Sequence, residues 1–186
     1  MSNKLKTNLI AFTGTKGVGK STARDILKAL CKPFVNMLVT PSLADPIKHI
    51  ASMANQYLGR KDVKDRKLLQ LLGTEWGRNT ISQDIWIDRL HKNIEEHIQD
   101  PNDLVIIDDV RFDNEAKYIK NNNGILIRVC GPSRIKNDGI KGHASESGVH
   151  PMYIDITLNN NTNIKEFHNS IVELLFDHLM KSGKND

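Results

Sequence analysis

Cysteines and aromatic side chains are scarce in this sequence. Its 186 residues include two cysteines, Cys31 and Cys130, and aromatic residues make up 5% of the chain. Two cysteines are too few for a disulfide framework, so we expect a protein of a reducing cytoplasm. So few aromatic residues also argue against a surface that binds nucleic acid by stacking bases between its charges.

Long apolar runs are missing as well. No stretch approaches the roughly 20 apolar residues that a membrane-spanning helix requires, and the first residues, MSNKLKTNLIAF, lack a signal-peptide core. We therefore expect no membrane partner. The composition is otherwise ordinary, with 26% charged residues and a net charge of +4. The length suits a single globular domain that spans residues 1–186.

Five short apolar runs predict strands that are buried on both faces of a sheet. They are residues 9–13, 34–39, 104–108, 125–129 and 154–158. Because these runs are apolar throughout rather than alternating, they are typical of a parallel sheet. Helical patterns separate them, so we expect a three-layer α/β fold with a five-stranded parallel sheet. The core of this fold would comprise residues 8–40, 103–130 and 152–180.

Two connections are longer than a simple crossover needs. The segment 43–99 contains helical patterns at 45–58, 64–72 and 83–98, and it predicts a helical insertion over one end of the sheet. The segment 131–150 has almost no apolar periodicity but carries Arg134, Lys136, Lys141 and His143. Long irregular loops in compact domains are commonly functional. We interpret this second segment as a mobile lid.

The strongest signal is the run GTKGVGKS at residues 14–21, which matches the phosphate-binding loop pattern between a predicted strand and a predicted helix. Its glycines allow successive backbone N–H groups to point at phosphates beside a helix N-terminus. Lys20 is expected to reach the β- and γ-phosphates of ATP, and the Ser21 hydroxyl to ligate Mg²⁺. The predicted ATP-binding residues are Gly14, Thr15, Lys16, Gly17, Val18, Gly19, Lys20, Ser21 and Thr22. Positive charges that serve phosphates do not require a nucleic-acid partner.

A second signal is the run LVIIDDVRF at residues 104–112. An apolar strand that ends in a carboxylate can hold Mg²⁺ through water beside the phosphate-binding loop. Asp108 and Asp109 point to opposite faces of a strand, so one of the two is expected to serve the metal. Arg111 follows directly, and a planar bidentate donor at the carboxyl end of a strand suits a phosphate.

With these segments the sequence resembles the bacteriophage deoxynucleoside monophosphate kinases, a branch of the P-loop nucleotide kinases. The resemblance rests on the loop at 14–22, LLQLLGTEWGR at 68–78 with Trp86, DVRFDNE at 109–115 and HASE at 143–146, with a strand and Asn159 after them. It implies a P-loop NTPase fold, ATP and Mg²⁺ as cofactors and a deoxynucleoside monophosphate as the small-molecule acceptor. It also implies that residues 43–99 bind the acceptor and that residues 131–150 form an arginine-bearing lid. Whether the protein is a monomer or a homodimer stays open.

Carried over by position, the resemblance places Arg66, Gln70, Arg78 and Arg111 at the acceptor site. Gln70 offers a paired donor and acceptor for a base edge, and the arginines offer charge for a monophosphate. Trp76, or alternatively Trp86, could stack on a base, although tryptophans on helices more often belong to the core.

The catalytic arginine is left open by the sequence. The lid is short of arginine, with Arg134 inside it and Arg128 on the preceding strand, so Arg111, Arg128 and Arg134 are all candidates beside Lys20. For His143, Ser145 and Glu146 we favour a structural role in closing the lid, because phosphoryl transfer needs mostly positioning and charge.

Three other functions are less consistent with the sequence. A GTPase switch would show an Asn-Lys-x-Asp segment after a strand, and none stands there. A nucleic-acid-binding P-loop protein would show an unbroken basic face or interleaved aromatic residues. A P-loop kinase of a non-nucleotide acceptor, such as phosphomevalonate, is the nearest alternative, and the run LQLLGTEWGR favours nucleotides over it.

Overall fold

A five-stranded parallel sheet forms the centre of the molecule. In this computed structural model, which describes residues 7–60, 65–134 and 148–180, the strands stand in the order β2-β3-β1-β4-β5. They are β1 (Leu9–Thr13), β2 (Leu38–Val39), β3 (Leu104–Val110), β4 (Ile125–Cys130) and β5 (Ile156–Asn159). All four neighbouring pairs are parallel. The predicted fold class is therefore confirmed.

Helices connect the strands. They are α1 (Lys20–Cys31), α2 (Asp45–Tyr57), α3 (Arg66–Gln70), α4 (Ile85–His97), α5 (Asp113–Asn121) and α6 (Ile164–Leu174). Helix α3 continues into a π-helical stretch, Leu71–Ile81, and α6 continues into a shorter one, Leu175–Leu179. Single 3₁₀ turns lie at Lys32–Phe34 and Pro151–Tyr153. Within the described ranges, no helix has the length and apolar character that would let it cross a membrane.

Each face of the sheet carries its own apolar core, because side chains alternate along a strand. Ile10 and Phe12 of β1 pack on one side with Leu27 of α1 and Phe167 of α6. On the other side lies a second cluster, which includes Leu9, Ala11, Leu43, Trp86, Ile107 and Ile119. The three layers thus follow from strands that are apolar on both faces.

The second predicted strand, residues 34–39, is shorter than expected. Its first residue belongs to the 3₁₀ turn, where Pro33 stands at the first positions and cannot donate to a sheet. The chain then contacts the turn that precedes β3, where Met37 N donates to Asp103 Oδ1 at 3.1 Å. Only Leu38 and Val39 pair with β3. An apolar run therefore overstated the length of this edge strand.

Strand β3 is longer than predicted, and it contains an irregularity at its end. Ala11 of β1 pairs with Ile107, whereas Thr13 pairs with Val110, so β3 has one more residue than β1 between these two pairs. The extra residue falls at Asp108 and Asp109. A bulge of this kind changes the direction of side chains next to a functional site.

Candidate functional site

The loop between β1 and α1 has the backbone that the glycine pattern predicts. Gly14, Gly17 and Gly19 have φ values of 138°, 80° and 102°, a region that favours glycine. A Cβ on Gly14 would lie 2.3 Å from the carbonyl oxygen of Val129, and one on Gly19 would lie 2.4 Å from Nδ2 of Asn160. Both positions therefore require glycine for space as well as for conformation.

Lys20 folds back over this loop. Its Nζ donates to the carbonyl oxygens of Gly14 and Thr15, each at 2.8 Å. Burial, together with the positive charge of Arg111, lowers the pKa of Lys20 to about 8, against the opposing charges of Asp108 and Asp109. The ammonium group is thus held among carbonyl oxygens at the start of α1.

The two acids at the end of β3 have different partners. Asp109 accepts hydrogen bonds from Ser42 Oγ at 2.7 Å, Ala44 N at 2.9 Å and Leu43 N at 3.1 Å. Burial raises the pKa of Asp109, although these hydrogen bonds oppose the rise. Asp108 instead accepts from Arg24 of α1 at 3.0 Å. Asp109 therefore fixes the chain that leads into α2, and Asp108 faces α1.

A cavity of about 680 Å³ joins the loop to the helical insertion. Its lining includes Lys20, Ser21 and Asp108 from the core, and Arg66, Gln70 and Thr74 from the insertion. Phe112 and three cations, Arg24, Arg111 and Arg134, also line it. This volume lies within the roughly 300–1,000 Å³ that is typical of small-molecule sites. The structure thus brings the predicted loop residues together with Arg66, Gln70 and Arg111.

Arg78 lies in the cavity wall, but its guanidinium is committed to partners within the protein. It is 5% exposed, forms an ion pair with Glu115, and donates to Gln83 O at 2.9 Å and to Asn114 Oδ1 at 3.2 Å. Its guanidinium carbon also lies 4.0 Å from the centre of the Phe112 ring. The structure therefore gives Arg78 a supporting position beneath Phe112.

Glu115 is a residue of this site that the sequence did not single out. Its Oε2 accepts from Arg111 N at 2.6 Å and from Phe112 N at 3.0 Å, while Oε1 receives Arg78. Burial raises the pKa of Glu115 to about 7, and the positive charge of Arg78 opposes this rise. A glutamate three residues after the N-cap position of α5, Phe112, is a capping signal that could have indicated it.

The two tryptophans, either of which could stack on a base, are placed differently. Trp76 is 44% exposed and is not among the described residues that line the cavity. Trp86 is 5% exposed and belongs to the core, where its indole Nε1 donates to Gly73 O at 2.7 Å. Both Trp86 and Phe112 line the cavity, and Phe112 directly follows Arg111.

The three candidate catalytic arginines are placed differently. Arg128 donates to the carbonyl oxygen of Val149 at 2.6 Å and is not among the residues described at the cavity. Arg111 and Arg134 both line the cavity. The lining of the cavity therefore includes two of the three candidate arginines.

The lid falls mostly outside the described residues. Residues 135–147 are not described, so the predicted roles of His143, Ser145 and Glu146 lie outside the structure. Near its start, the Arg134 backbone N–H donates to Gly17 O at 3.2 Å. Strand β5 begins at Ile156 and ends at Asn159, slightly later than the predicted run 154–158. Asn159 is exposed, and the next residue, Asn160, is buried against the loop.

Comparisons with known proteins agree with these features. A sequence model of the family described as deoxynucleotide monophosphate kinase matches residues 49–171. A homologue of that description from Acanthamoeba polyphaga mimivirus is 32% identical over 193 residues, covering 88% of this chain and 94% of its own length. The deoxynucleoside-5'-monophosphate kinase of Escherichia phage T5 is 36% identical over 97 residues, which cover 50% of this chain and 37% of that protein.

A solved structure supports the fold independently. The APS kinase of Mycobacterium tuberculosis, in complex with AMPPNP and APS, aligns with a TM-score of 0.52 over 91% of this chain and 98% of its own. The sequence identity is 16%, so this likeness concerns the fold alone.

Proposed function

This chain belongs to the deoxynucleotide monophosphate kinase family, and from that premise we propose that it transfers the γ-phosphate of ATP to a deoxynucleoside monophosphate. The products are a deoxynucleoside diphosphate and ADP. The observation that carries the proposal is the continuous cavity, which joins the phosphate-binding loop to the amide and arginines of the helical insertion. One cavity with both groups allows two nucleotides to meet end to end.

The donor half of the cavity suits the triphosphate of ATP. Gly14, Gly17 and Gly19 give the loop its positive-φ backbone, and the loop stands at the N-terminus of α1. Lys20, held over the loop, supplies a positive charge at the β- and γ-phosphates. Nucleotide binding raises the pKa of Lys20 again, because phosphate charge favours its protonated form.

The residues at the same place also fit Mg²⁺. The Ser21 hydroxyl and the Asp108 carboxylate line the cavity and are hard oxygen ligands of the kind that Mg²⁺ prefers. We assign this role to Asp108, since Asp109 already accepts three hydrogen bonds from residues 42–44. When bound, Mg²⁺ supplies charge that neutralises the transferred phosphoryl group.

The acceptor half comprises Arg66, Gln70, Arg111 and Phe112. Arg111 lies beside Lys20 and offers a bidentate donor for the monophosphate. Gln70 can pair with a base edge. Phe112 takes the stacking role in place of Trp76, because its ring lies in the cavity wall and is supported by Arg78.

The reaction is an in-line displacement. An oxygen of the acceptor phosphate forms a bond to the γ-phosphorus while the bond from that phosphorus to the bridging oxygen of ADP breaks. Lys20, Arg111 and Arg134 spread the charge that develops on the transferred group. The chain thus contributes mainly position and positive charge.

A turnover assay tests this function. Purified protein with Mg·ATP is offered deoxynucleoside and ribonucleoside monophosphates separately, with phosphomevalonate beside them, and ADP release is measured. We expect turnover with at least one deoxynucleoside monophosphate. Turnover with phosphomevalonate alone, or ADP release without any acceptor, would contradict the proposal.

The variant Lys20→Ala tests whether the phosphate-binding loop is needed for this turnover. Turnover should fall below detection while the thermal unfolding curve remains cooperative, because Lys20 bonds only loop carbonyl oxygens among the partners described. Lys28→Ala is the control, since Lys28 is exposed on the same helix. Near-normal turnover in Lys20→Ala would show that the loop does not act on ATP.

A further inference from the structure

Asn160 is a buried side chain that contacts two parts of the donor site. It is 4% exposed and follows directly after β5. Its Nδ2 donates to the carbonyl oxygen of Val18, in the phosphate-binding loop, at 2.8 Å. Its Oδ1 and its backbone carbonyl oxygen both accept from Nη2 of Arg134, each at 3.2 Å. One residue therefore joins the loop to the arginine.

The contact with the loop is closely fitted. A Cβ on Gly19 would come within 2.4 Å of Asn160 Nδ2, so the amide fills the space beside Gly19. A trans peptide directs its carbonyl and its N–H to opposite sides. Because Asn160 holds the Val18 carbonyl, it also fixes the direction of the Gly19 N–H.

The contact with Asn160 holds the long, exposed side chain of Arg134 in one position before any substrate binds. An unrestrained arginine has a long, flexible side chain, and it must lose rotamer entropy when it binds. Here the guanidinium is held by two oxygens of Asn160, and the Arg134 backbone N–H is held by Gly17 O. Asn160 itself is anchored, since its backbone N–H donates to Cys130 O at 2.7 Å.

We propose that Asn160 is a positioning residue for phosphoryl transfer, which holds Arg134 and the phosphate-binding loop in one arrangement. The inference rests on the proposed function. It predicts energetic coupling between Asn160 and Arg134, because truncating the Asn160 side chain removes one of the two oxygens that direct Arg134 and releases the Val18 carbonyl that the amide holds. Two residues that act independently would instead have multiplicative effects on the rate.

A double-mutant cycle on kcat tests the proposal. Asn160→Ala is expected to lower kcat at saturating substrates by roughly ten- to a hundredfold, the cost of misplaced catalytic groups. Arg134→Ala should lower kcat in the wild-type background. In the Asn160→Ala background, the factor by which Arg134→Ala lowers kcat should be about tenfold smaller. Asn159→Ala is the matched control, since it removes an exposed asparagine one residue earlier and should leave kcat unchanged.

Each outcome of this cycle either supports or contradicts the coupling between Asn160 and Arg134. If the effects of the two substitutions on kcat multiply to within about twofold, the two residues are not coupled and the proposal is wrong. An Asn160→Ala variant that loses thermal stability but keeps its kcat would also contradict the proposal. If Asn160→Ala does not fold, Asn160→Ser enters the same cycle, because it removes the amide with a smaller loss of polarity. A wild type without turnover on any deoxynucleoside monophosphate would overturn the proposed function and this inference with it. An active wild type with independent effects would overturn the inference alone.

Discussion

At the scale of the residue, Phe112 is the aromatic side chain best placed to meet a base. Its ring lines the cavity, and the guanidinium of Arg78 lies on the ring at 4.0 Å. A ring held in this way needs little further ordering when a base stacks on it. Trp76 has the larger ring, but it lies on the exposed surface of the π-helical stretch.

Two leucine substitutions distinguish these aromatic residues. Phe112→Leu should raise the KM for the deoxynucleoside monophosphate about tenfold, within the roughly 1–3 kcal/mol that base–aromatic stacking contributes. The KM for ATP should hardly change, because Phe112 lies in the acceptor half. Trp76→Leu should leave both values near wild type. Steady-state kinetics with each substrate varied in turn gives the answer, and an effect confined to Trp76→Leu would restore the expectation from the sequence.

The difference between Lys20 and Phe112 shows which residues a sequence can reveal. Lys20 acts within a loop of eight residues, so its contacts with Gly14 and Thr15 are set by local spacing. Phe112 depends on Arg78, which is 34 positions earlier in the numbering and reaches it through the tertiary fold. By residue type the sequence offered the tryptophans as possible stacking residues, whereas the contact of Arg78 with Phe112 becomes visible only in the folded chain.

At the scale of secondary-structure elements, the pair Arg78–Glu115 connects the helical insertion to the sheet. Arg78 belongs to the π-helical stretch, and Glu115 stands in the first turn of α5. Glu115 also receives the N–H groups of Arg111 and Phe112, so the same carboxylate holds two proposed acceptor residues. The position of the insertion and the backbone of the acceptor site are thus fixed together.

Breaking this buried pair should be costly. Arg78→Met leaves a buried carboxylate without its cation, and Glu115→Gln cannot accept from Arg78 and from both N–H groups with a single oxygen. Each variant is expected to lose about 3–5 kcal/mol of unfolding free energy. The double variant should lose clearly less than the sum, since no charge is left unpaired. Urea denaturation measures all three, and strictly additive losses would contradict the coupling.

The pH dependence of stability gives a second measure of the same pair. The pKa of Glu115 is raised to about 7 from an ordinary value of 4.5 by burial, so the folded protein holds this proton more tightly than the unfolded chain. Its contribution to stability therefore declines as the pH rises from about 4.5 to about 7 and stays low above that. In Arg78→Met the opposing charge is gone and the decline should continue above pH 7. The loss relative to wild type should accordingly be larger at pH 8 than at pH 6.

The elements themselves were predictable where their patterns are long and regular. Helix α1 and strands β1 and β4 occur close to their expected places because their apolar faces are continuous. The π-helical stretch was not predicted, and the expected helix at 64–72 stopped before Gly73 because glycine is a poor helix former. In the structure Gly77 is required by packing, since a Cβ there would lie 2.3 Å from the Trp86 ring, whereas a Cβ on Gly73 would lie 3.0 Å from Ile47 Cδ1.

At the scale of the whole molecule, the location of the site follows from the parallel direction of the strands in the sheet. The loop after β1, the acids at the end of β3 and Asn160 after β5 all stand at the carboxyl ends of parallel strands, which is where open α/β sheets place their ligands. The helical insertion then closes the other side of a single cavity. Alternating strand and helix patterns predicted this arrangement, whereas the bulge at Asp108 and Asp109 and the partners of each acid depend on contacts that the sequence does not display.

Because both substrates are proposed to share one cavity, we can predict how tightly a compound that fills both halves should bind. A deoxynucleoside joined to adenosine through a chain of phosphates should occupy both halves at once and bind about 10²- to 10⁴-fold more tightly than ADP or the monophosphate, since the second contact becomes intramolecular. Calorimetry measures the three dissociation constants. In Lys20→Ala, and separately in Phe112→Leu, much of this advantage should disappear, because each variant weakens one half of the cavity. An analogue that binds the wild type no more tightly than ADP would show that the two halves cannot be filled together, and the end-to-end arrangement of the substrates would then be wrong.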